Sequence, residues 1–162
     1  MATIPGDIKI TWSSDLMVGD FTTDVGDLTN ENGLETAVIV SLFTNRRAKD
    51  DDILPDPTSL DKQGWWGDQA SPDVANDQIG SRIWVYMDRA KTTQETLIQV
   101  KQAAEEALQW LIEDKVAVKV EVETERAGSP GNDRLHMLVK IYKSREELVT
   151  YEYDFNWASQ FE

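Results

Sequence analysis

Hydrophobic and polar residues alternate with a period of two along the last third of the chain. Valines occupy every second position from 116 to 122, and the alternation recurs over 135–142 and 149–155. Residues 127–133 are rich in Gly, Pro, Ser, Asn and Asp, which favour turns. The pattern predicts an antiparallel meander of three strands with one polar face and one buried face.

A helical pattern precedes these strands. Over residues 93–114 apolar side chains recur three and four positions apart, which is typical of an amphipathic helix. Thr92 or Thr93 is the expected N-cap, since a threonine hydroxyl can accept a hydrogen bond from a free amide of the first turn. We expect this helix to pack on the buried face of the meander.

The first half of the chain is less regular. Residues 7–12 alternate and predict a strand, whereas residues 13–30 are rich in Gly, Asp and Thr and predict a long loop. A helix is expected to begin near Gly33, with Asn32 as its N-cap and Glu35 completing a capping box.

Two further segments are not assigned by periodicity. Four aspartates, at 50, 51, 52 and 56, share a stretch with two prolines that cannot continue a helix. Residues 80–87 are apolar enough to be buried, but the run is too short to distinguish a helix from a strand.

These patterns predict an α+β fold. We expect a single two-layer domain in which the long helix packs on an antiparallel sheet of three to four strands, with one N-terminal helix and long loops. Its 162 residues divide into a strand and loop (1–31), a helix with a tryptophan-rich segment (32–91), and a helix with the meander (92–155).

The charge of the chain limits its partners. It carries 16 Lys and Arg against 30 Asp and Glu, a net charge of −14, and it has no cysteine. Disulfides and thiolate metal sites are therefore excluded. Because nucleic-acid affinity depends on cations that neutralise phosphates, we expect no direct nucleic-acid binding and no membrane binding. Such acidity is typical of a highly soluble protein or of one that binds a basic protein partner.

Motifs for catalysis and cofactor binding are absent from the sequence. We interpret the single histidine, His136, as a partly exposed strand residue. The aspartates at 50–52 and 56 lack the spacing of a calcium loop and are expected to form a solvated acidic loop. Glu105 and Glu106 fit the solvated face of the long helix. We expect no catalytic residue, no cofactor and no metal.

The tryptophans are more informative. Trp84 and Trp110 fall within apolar patterns and are expected in the core. Trp65 and Trp66 stand between two glycines inside a polar segment. Such a pair either folds onto the core as a lid or remains exposed as an anchor for a partner, and the sequence leaves both possibilities open.

Several blocks of sequence, taken in order and spacing, resemble one protein family. The blocks are AVIVSLFTNRRA (37–48), DDILPD (51–56), GWWGD (64–68), GSRIW (80–84), RAK (89–91) and ALQWL (107–111). On these residues the chain is identified as a member of the Mu-like phage tail protein family called phage protein gp46. That family is similar to the small, lysozyme-like baseplate wedge protein of contractile-tailed phages. The resemblance covers about residues 33–125.

The resemblance implies a structural role in the virion, with synthesis in the host bacterial cytoplasm. It implies a non-enzymatic component of the inner baseplate that joins other wedge proteins to the tail sheath and to tube or hub proteins. Strand addition by the sheath would help to template sheath assembly. The alternative is a peptidoglycan-degrading hydrolase of the tail tip. The candidate partner contacts are Arg46, Arg47, Trp65, Trp66, Trp84 and Arg89.

Overall fold

The computed structural model describes residues 6–31, 33–69, 78–87, 93–129 and 132–156. Short strands occupy the N-terminal part, where the sequence predicts one strand and a loop. They are β1 (Asp7–Ile8), β2 (Ile10–Ser13), β3 (Val18–Phe21), β4 (Thr23–Asp24), β5 (Asp27–Leu28) and β6 (Asn30–Glu31). Pairing is antiparallel, β1 with β6, β2 with β3 and β4 with β5. The prediction of a loop over residues 13–30 was wrong. The strands in this region are short and largely exposed, so the sequence shows no alternation of buried and exposed positions there.

A tryptophan and a threonine attach this N-terminal ribbon to the rest of the fold. The Trp12 ring stacks on the Phe43 ring with a centroid distance of 3.8 Å. The Thr36 hydroxyl donates to the Ile8 carbonyl oxygen (3.1 Å) and accepts from the Ile10 amide (3.0 Å). The ribbon is therefore fixed along β1 and β2, on the side that faces the first helix.

The first helix, α1 (Glu35–Phe43), begins later than predicted. Leu34 occupies the N-cap position without a side-chain cap, so the capping box was wrong, and Asn32 lies outside the described residues. Glu35 instead forms an ion pair with Lys9 at 3.6 Å. The carboxylate thus links the helix start to the ribbon.

Residues 80–87, which the sequence pattern did not assign to a helix or a strand, contain a second helix, α2 (Ile83–Met87). Four of its five residues are buried, which explains the absence of an amphipathic pattern. The long predicted helix is divided into α3 (Gln94–Ala107) and α4 (Trp110–Glu113). At the break the Leu111 amide bonds to the Leu108 carbonyl (3.1 Å), a tighter turn than the α-helical spacing. No helix in the described part of the chain is long and apolar enough to cross a membrane.

The C-terminal meander is confirmed as an antiparallel sheet in the order β7–β8–β9. Its strands are β7 (Lys119–Ser129), β8 (Asn132–Tyr142) and β9 (Leu148–Asn156). The first two strands are longer than predicted, since pairing continues to Ser129 and Asn132 within the expected turn. Val116 and Val118 precede β7 and are exposed, while Ala117 between them is buried.

One face of this sheet carries the core. Across the three strands, Val139 is paired with Val122 on one side and with Tyr151 on the other. Between β8 and β9, Met137 is paired with Tyr153 and Leu135 with Phe155. The helix α3 packs against β7, and its buried residues join this face in one hydrophobic cluster. The other face is polar, with ion pairs such as Lys140–Glu123 at 2.6 Å. The predicted α+β arrangement of a long helix on an antiparallel sheet is confirmed.

Candidate partner-binding site

The segment that follows α1 contains two of the three candidate arginines, Arg46 and Arg47, and runs between two other segments. On one side the Arg46 amide bonds to the Ser81 carbonyl and the Ser81 amide bonds to the Thr44 carbonyl, each at 2.9 Å. On the other side the Ala48 amide bonds to the Lys62 carbonyl at 3.0 Å. Residues 44–48 therefore have a fixed backbone from which the arginine side chains project.

Gly80 makes this arrangement possible. It has a φ of +98°, and a Cβ added at this position would lie 2.2 Å from the Thr44 carbonyl oxygen. Only glycine fits both the left-handed backbone and the close approach. The next residue, Ser81, is buried and donates its hydroxyl to the Leu42 carbonyl oxygen at 2.5 Å.

Arg46 and Trp84 are brought together, but inside the fold. The Trp84 indole Nε1 donates to the Arg46 carbonyl oxygen at 2.8 Å. The Arg46 guanidinium donates to the Gln78 carbonyl oxygen at 2.5 Å and lies 3.9 Å from a Glu106 carboxylate oxygen. Both side chains are half-buried. Through these contacts Arg46 and Trp84 connect segments of this chain to one another.

Arg47, Trp65 and Trp66 form an exposed group. Gly64 has a φ of +115°, and a Cβ added there would lie 3.0 Å from the Arg47 Cβ, so the two chain segments touch at this point. The two indole rings are tilted by 44° with a centroid distance of 5.4 Å. Trp66 is 77% exposed and Trp65 is 37% exposed. We call Arg47, Gly64, Trp65 and Trp66 the tryptophan face.

The Trp65 ring lies directly against Gly67. A Cβ added at Gly67 would lie 2.1 Å from carbon atoms of the Trp65 ring, so the ring covers the Gly67 backbone. The Trp65 carbonyl accepts from the Asp68 amide at 3.2 Å, which begins a short 3₁₀ turn over Trp66–Gln69. Trp65 is therefore held in place, whereas most of the Trp66 ring is available to a partner.

The structure contains a charged cluster around Arg82 that the sequence did not predict. Arg82 donates to Asp52 at 2.8 Å and to Glu106 at 2.7 Å. Lys49 is 3.2 Å from Glu106, and the Tyr86 hydroxyl is 3.3 Å from Arg82. The side chains of Arg82 and Asp52 are only 11% and 9% exposed. The cluster joins the acidic loop, α2 and α3.

The cluster lowers the pKa of both carboxyl groups. Burial alone would raise the pKa of Asp52, but hydrogen bonds from the Lys49 amide and from Arg82 outweigh it. At Glu106 burial is likewise outweighed by the hydrogen bond and the charge of Arg82, followed by Lys49, so its pKa is also lowered. Both groups remain ionised at neutral pH, and Glu106 is not the solvated helix residue that we expected.

The acidic loop is tied to its surroundings more than predicted. Asp50 forms an ion pair with Lys62, and Asp56 accepts from the Thr58 amide at 2.8 Å. The hydrogen bond from Lys62 lowers the pKa of Asp50. Within the described ranges no group of three or more acidic or histidine side chains could hold a metal ion.

Two remaining predictions concern single residues. His136 is half-buried in β8, with its Nδ1 atom 2.8 Å from an Asp154 carboxylate oxygen, as expected of a partly exposed strand residue. Arg89 lies outside the described residues.

Comparison with known proteins identifies the family. The model of the family described as phage protein GP46 matches residues 34–148. A relative named baseplate protein gp46, from Escherichia phage Mu, is 36% identical over 147 residues, which cover 91% of this chain and 94% of the relative. The chain belongs to the phage protein GP46 family. A second GP46 relative, the Mu-like prophage FluMu protein gp46 of Haemophilus influenzae, is 34% identical over 72% of this chain and 73% of its own length.

The region matched by the GP46 model includes the tryptophan face and the Arg82 cluster. It also includes all of β7 and β8, whereas the resemblance noted from the sequence blocks ends at about residue 125, within β7. The N-terminal ribbon precedes the matched region.

Proposed function

We propose that this chain is a structural component of a phage tail baseplate. The observation that carries the proposal is the 36% identity over nearly the whole chain with the baseplate protein of phage Mu. The tryptophan face supports it, because a partly desolvated aromatic pair beside an arginine is typical of the energetic centre of a protein interface. Arg47, Trp65 and Trp66 would then contact other baseplate proteins.

The finer role is that of a wedge protein that connects the baseplate to the tail sheath. The sheet offers two edge strands, β7 and β9, whose outer backbone groups can pair with an added strand. The Asp154 amide of β9 contacts the Ser14 hydroxyl at 3.4 Å, so one end of that edge is approached by the ribbon. We expect an arm of the sheath protein to pair with β7, the longer edge strand.

Neither carboxyl group of the Arg82 cluster has the pKa that glycosidic hydrolysis requires of its general acid. A glycosidase needs one carboxylic acid whose pKa is raised so that it can protonate the leaving group. Asp52 and Glu106, which lie on either side of Arg82, both have a lowered pKa. The pair is suited to holding a guanidinium ion and unsuited to general acid catalysis.

Co-expression tests the assembly role. A tagged copy of the chain would be produced together with the proteins encoded beside it, and the purified material identified by mass spectrometry. We expect stoichiometric recovery of long baseplate proteins or of the sheath protein. Recovery of the chain alone, together with its absence from finished particles, would contradict the proposal.

Replacing both exposed tryptophans tests the tryptophan face. We expect Trp65→Ala/Trp66→Ala to retain the fold by circular dichroism but to reduce recovery of the complex at least tenfold, which corresponds to a loss of at least about 1.4 kcal/mol of binding free energy. The matched control is Ile98→Ala, which removes a half-exposed apolar side chain from α3. A folded double variant that assembles like the wild type would show that the face is not used.

A further inference from the structure

The N-terminal ribbon, residues 7–31, exposes apolar side chains that the rest of the fold does not cover. Val25 is 99% exposed and Leu16 is 73% exposed, each at the turn of a hairpin. Exposed apolar side chains are ordinary when scattered, but a group of them within one small element marks an interaction site. The group consists of Ile8, Leu16, Val18, Phe21, Val25 and Leu28.

The hairpin formed by β4 and β5 carries the most exposed member of the group. Val25 and Gly26 connect the two strands with φ values of +48° and +84°. This two-residue turn with both φ values positive favours Asn-Gly or Asp-Gly, and a β-branched residue at its first position is disfavoured. Val25 therefore contributes little to the folded chain alone, whether through packing or through turn geometry.

Several of these apolar side chains have an aspartate as their neighbour in the sequence. Asp24 and Asp27 are directly opposite each other across β4 and β5, an arrangement of like charges that destabilises a hairpin. Asp15 and Asp20 are exposed in the neighbouring hairpin. Among the described residues none of these four carboxylates has an ion-pair partner, and Lys9 is already paired with Glu35.

The charge of the ribbon selects its partner. A second copy of this chain, with a net charge of −14, would repel the aspartates. Phosphate-bearing ligands are disfavoured for the same reason. We propose that the ribbon is a docking arm for a basic protein surface, on which a lysine or arginine side chain lies between Asp24 and Asp27 and an apolar recess receives Val25.

The inference rests on the proposed function and adds the chemistry of one partner. The ribbon precedes residues 34–148, which the family model matches, so the docking arm and the tryptophan face share no residue. A partner held by such an arm would be one of the other baseplate proteins, and the contact would weaken as salt screens the charges.

Val25→Asn separates binding from stability. Asparagine fits the first position of this turn, so we expect the melting temperature to stay the same or to rise. Without the apolar side chain we expect at least a tenfold loss of the chain from the co-purified baseplate complex. The matched control, Ile98→Gln, should leave recovery unchanged. Undiminished recovery of Val25→Asn, or a parallel loss of melting temperature, would overturn the proposal.

Asp24→Asn/Asp27→Asn tests the cation contact. We expect the complex with the double variant to dissociate at a lower salt concentration than the wild-type complex, with at least a fivefold reduction in recovery at physiological salt. Recovery and salt dependence equal to the wild type would overturn the docking arm while leaving the proposed function intact. A wild-type chain that enters no complex and no particle would overturn both.

Discussion

Arg82 is a buried cation that connects segments far apart in the sequence. It bonds to Asp52, which precedes it by 30 residues, and to Glu106, which follows it by 24 residues. A buried ion pair contributes modestly in total, because desolvation of both charges offsets their attraction. Removal of one partner is far more costly, since the other charge stays buried without compensation.

We expect Arg82→Met to reduce the free energy of unfolding by about 3–5 kcal/mol, measured by urea denaturation. Arg82→Met/Asp52→Leu should recover part of this loss because the unpaired carboxylate is removed as well. The control is Arg126→Met, which breaks the exposed pair with Asp133 and should cost less than about 1 kcal/mol. Equal losses for the two single variants would contradict the structural role of the buried cation.

Among the helices, α3 has the best defined start. The Thr93 hydroxyl accepts from the Thr96 amide at 3.2 Å, which confirms one of the two predicted caps. We expect Thr93→Ala to cost about 1 kcal/mol of unfolding free energy, while Thr93→Ser retains most of the stability. Thr150→Ala, on an exposed part of β9, serves as the control. A loss at Thr150 as large as that at Thr93 would show that the cap contributes nothing specific.

The elements that were predicted correctly are those whose buried face repeats over many residues. The meander was predicted because apolar residues at every second position in β8 and β9 lie on one face. The division between α3 and α4 was missed because Leu108 and Leu111 are both fully buried and continue the apolar stripe across the break. The hairpin formed by β4 and β5 was missed because each of its strands contains two residues, none of which is buried.

The candidate site was only partly predictable for a different reason. A local signal, an aromatic pair in a polar segment between glycines, singled out Trp65 and Trp66, but it left open whether their rings are covered or exposed. The Arg82 cluster depends on contacts across 24 and 30 residues, and the alternation of side chains carries no information about such pairing. Arg46 and Trp84 were predicted as contacts with a partner protein, and their hydrogen bond to each other became visible only in the fold.

For the whole molecule, the negative charge is unevenly compensated. The Arg82 cluster and the outer face of the sheet pair carboxylates with cations, whereas the ribbon leaves its aspartates without ion pairs among the described residues. Self-repulsion at a net charge of −14 destabilises the compact chain at low ionic strength. The ribbon is therefore one part of the molecule whose carboxylates remain available to a basic partner.

The paired carboxyl groups determine how stability depends on pH. A carboxyl group with a lower pKa in the folded state contributes stability above its ordinary pKa and loses it as the pH falls through the folded value. The ordinary values are 3.8 for Asp52 and 4.5 for Glu106, and both are lowered in the fold. We therefore expect a melting temperature that is nearly constant from about pH 7 to 5 and decreases below about pH 4.5.

Arg82→Met should change this dependence in a characteristic way. Without the guanidinium, Asp52 stays buried but loses the hydrogen bond from Arg82, so its pKa should be higher than in the wild type. Protonation at low pH then removes the unpaired negative charge. The difference in melting temperature between the wild type and Arg82→Met should therefore be largest near pH 7 and shrink towards pH 4. Arg126→Met removes an ion pair at the surface, so the melting temperature of this variant should follow the pH dependence of the wild type. Parallel curves for the wild type and Arg82→Met would mean that packing, and not charge, accounts for the contribution of Arg82.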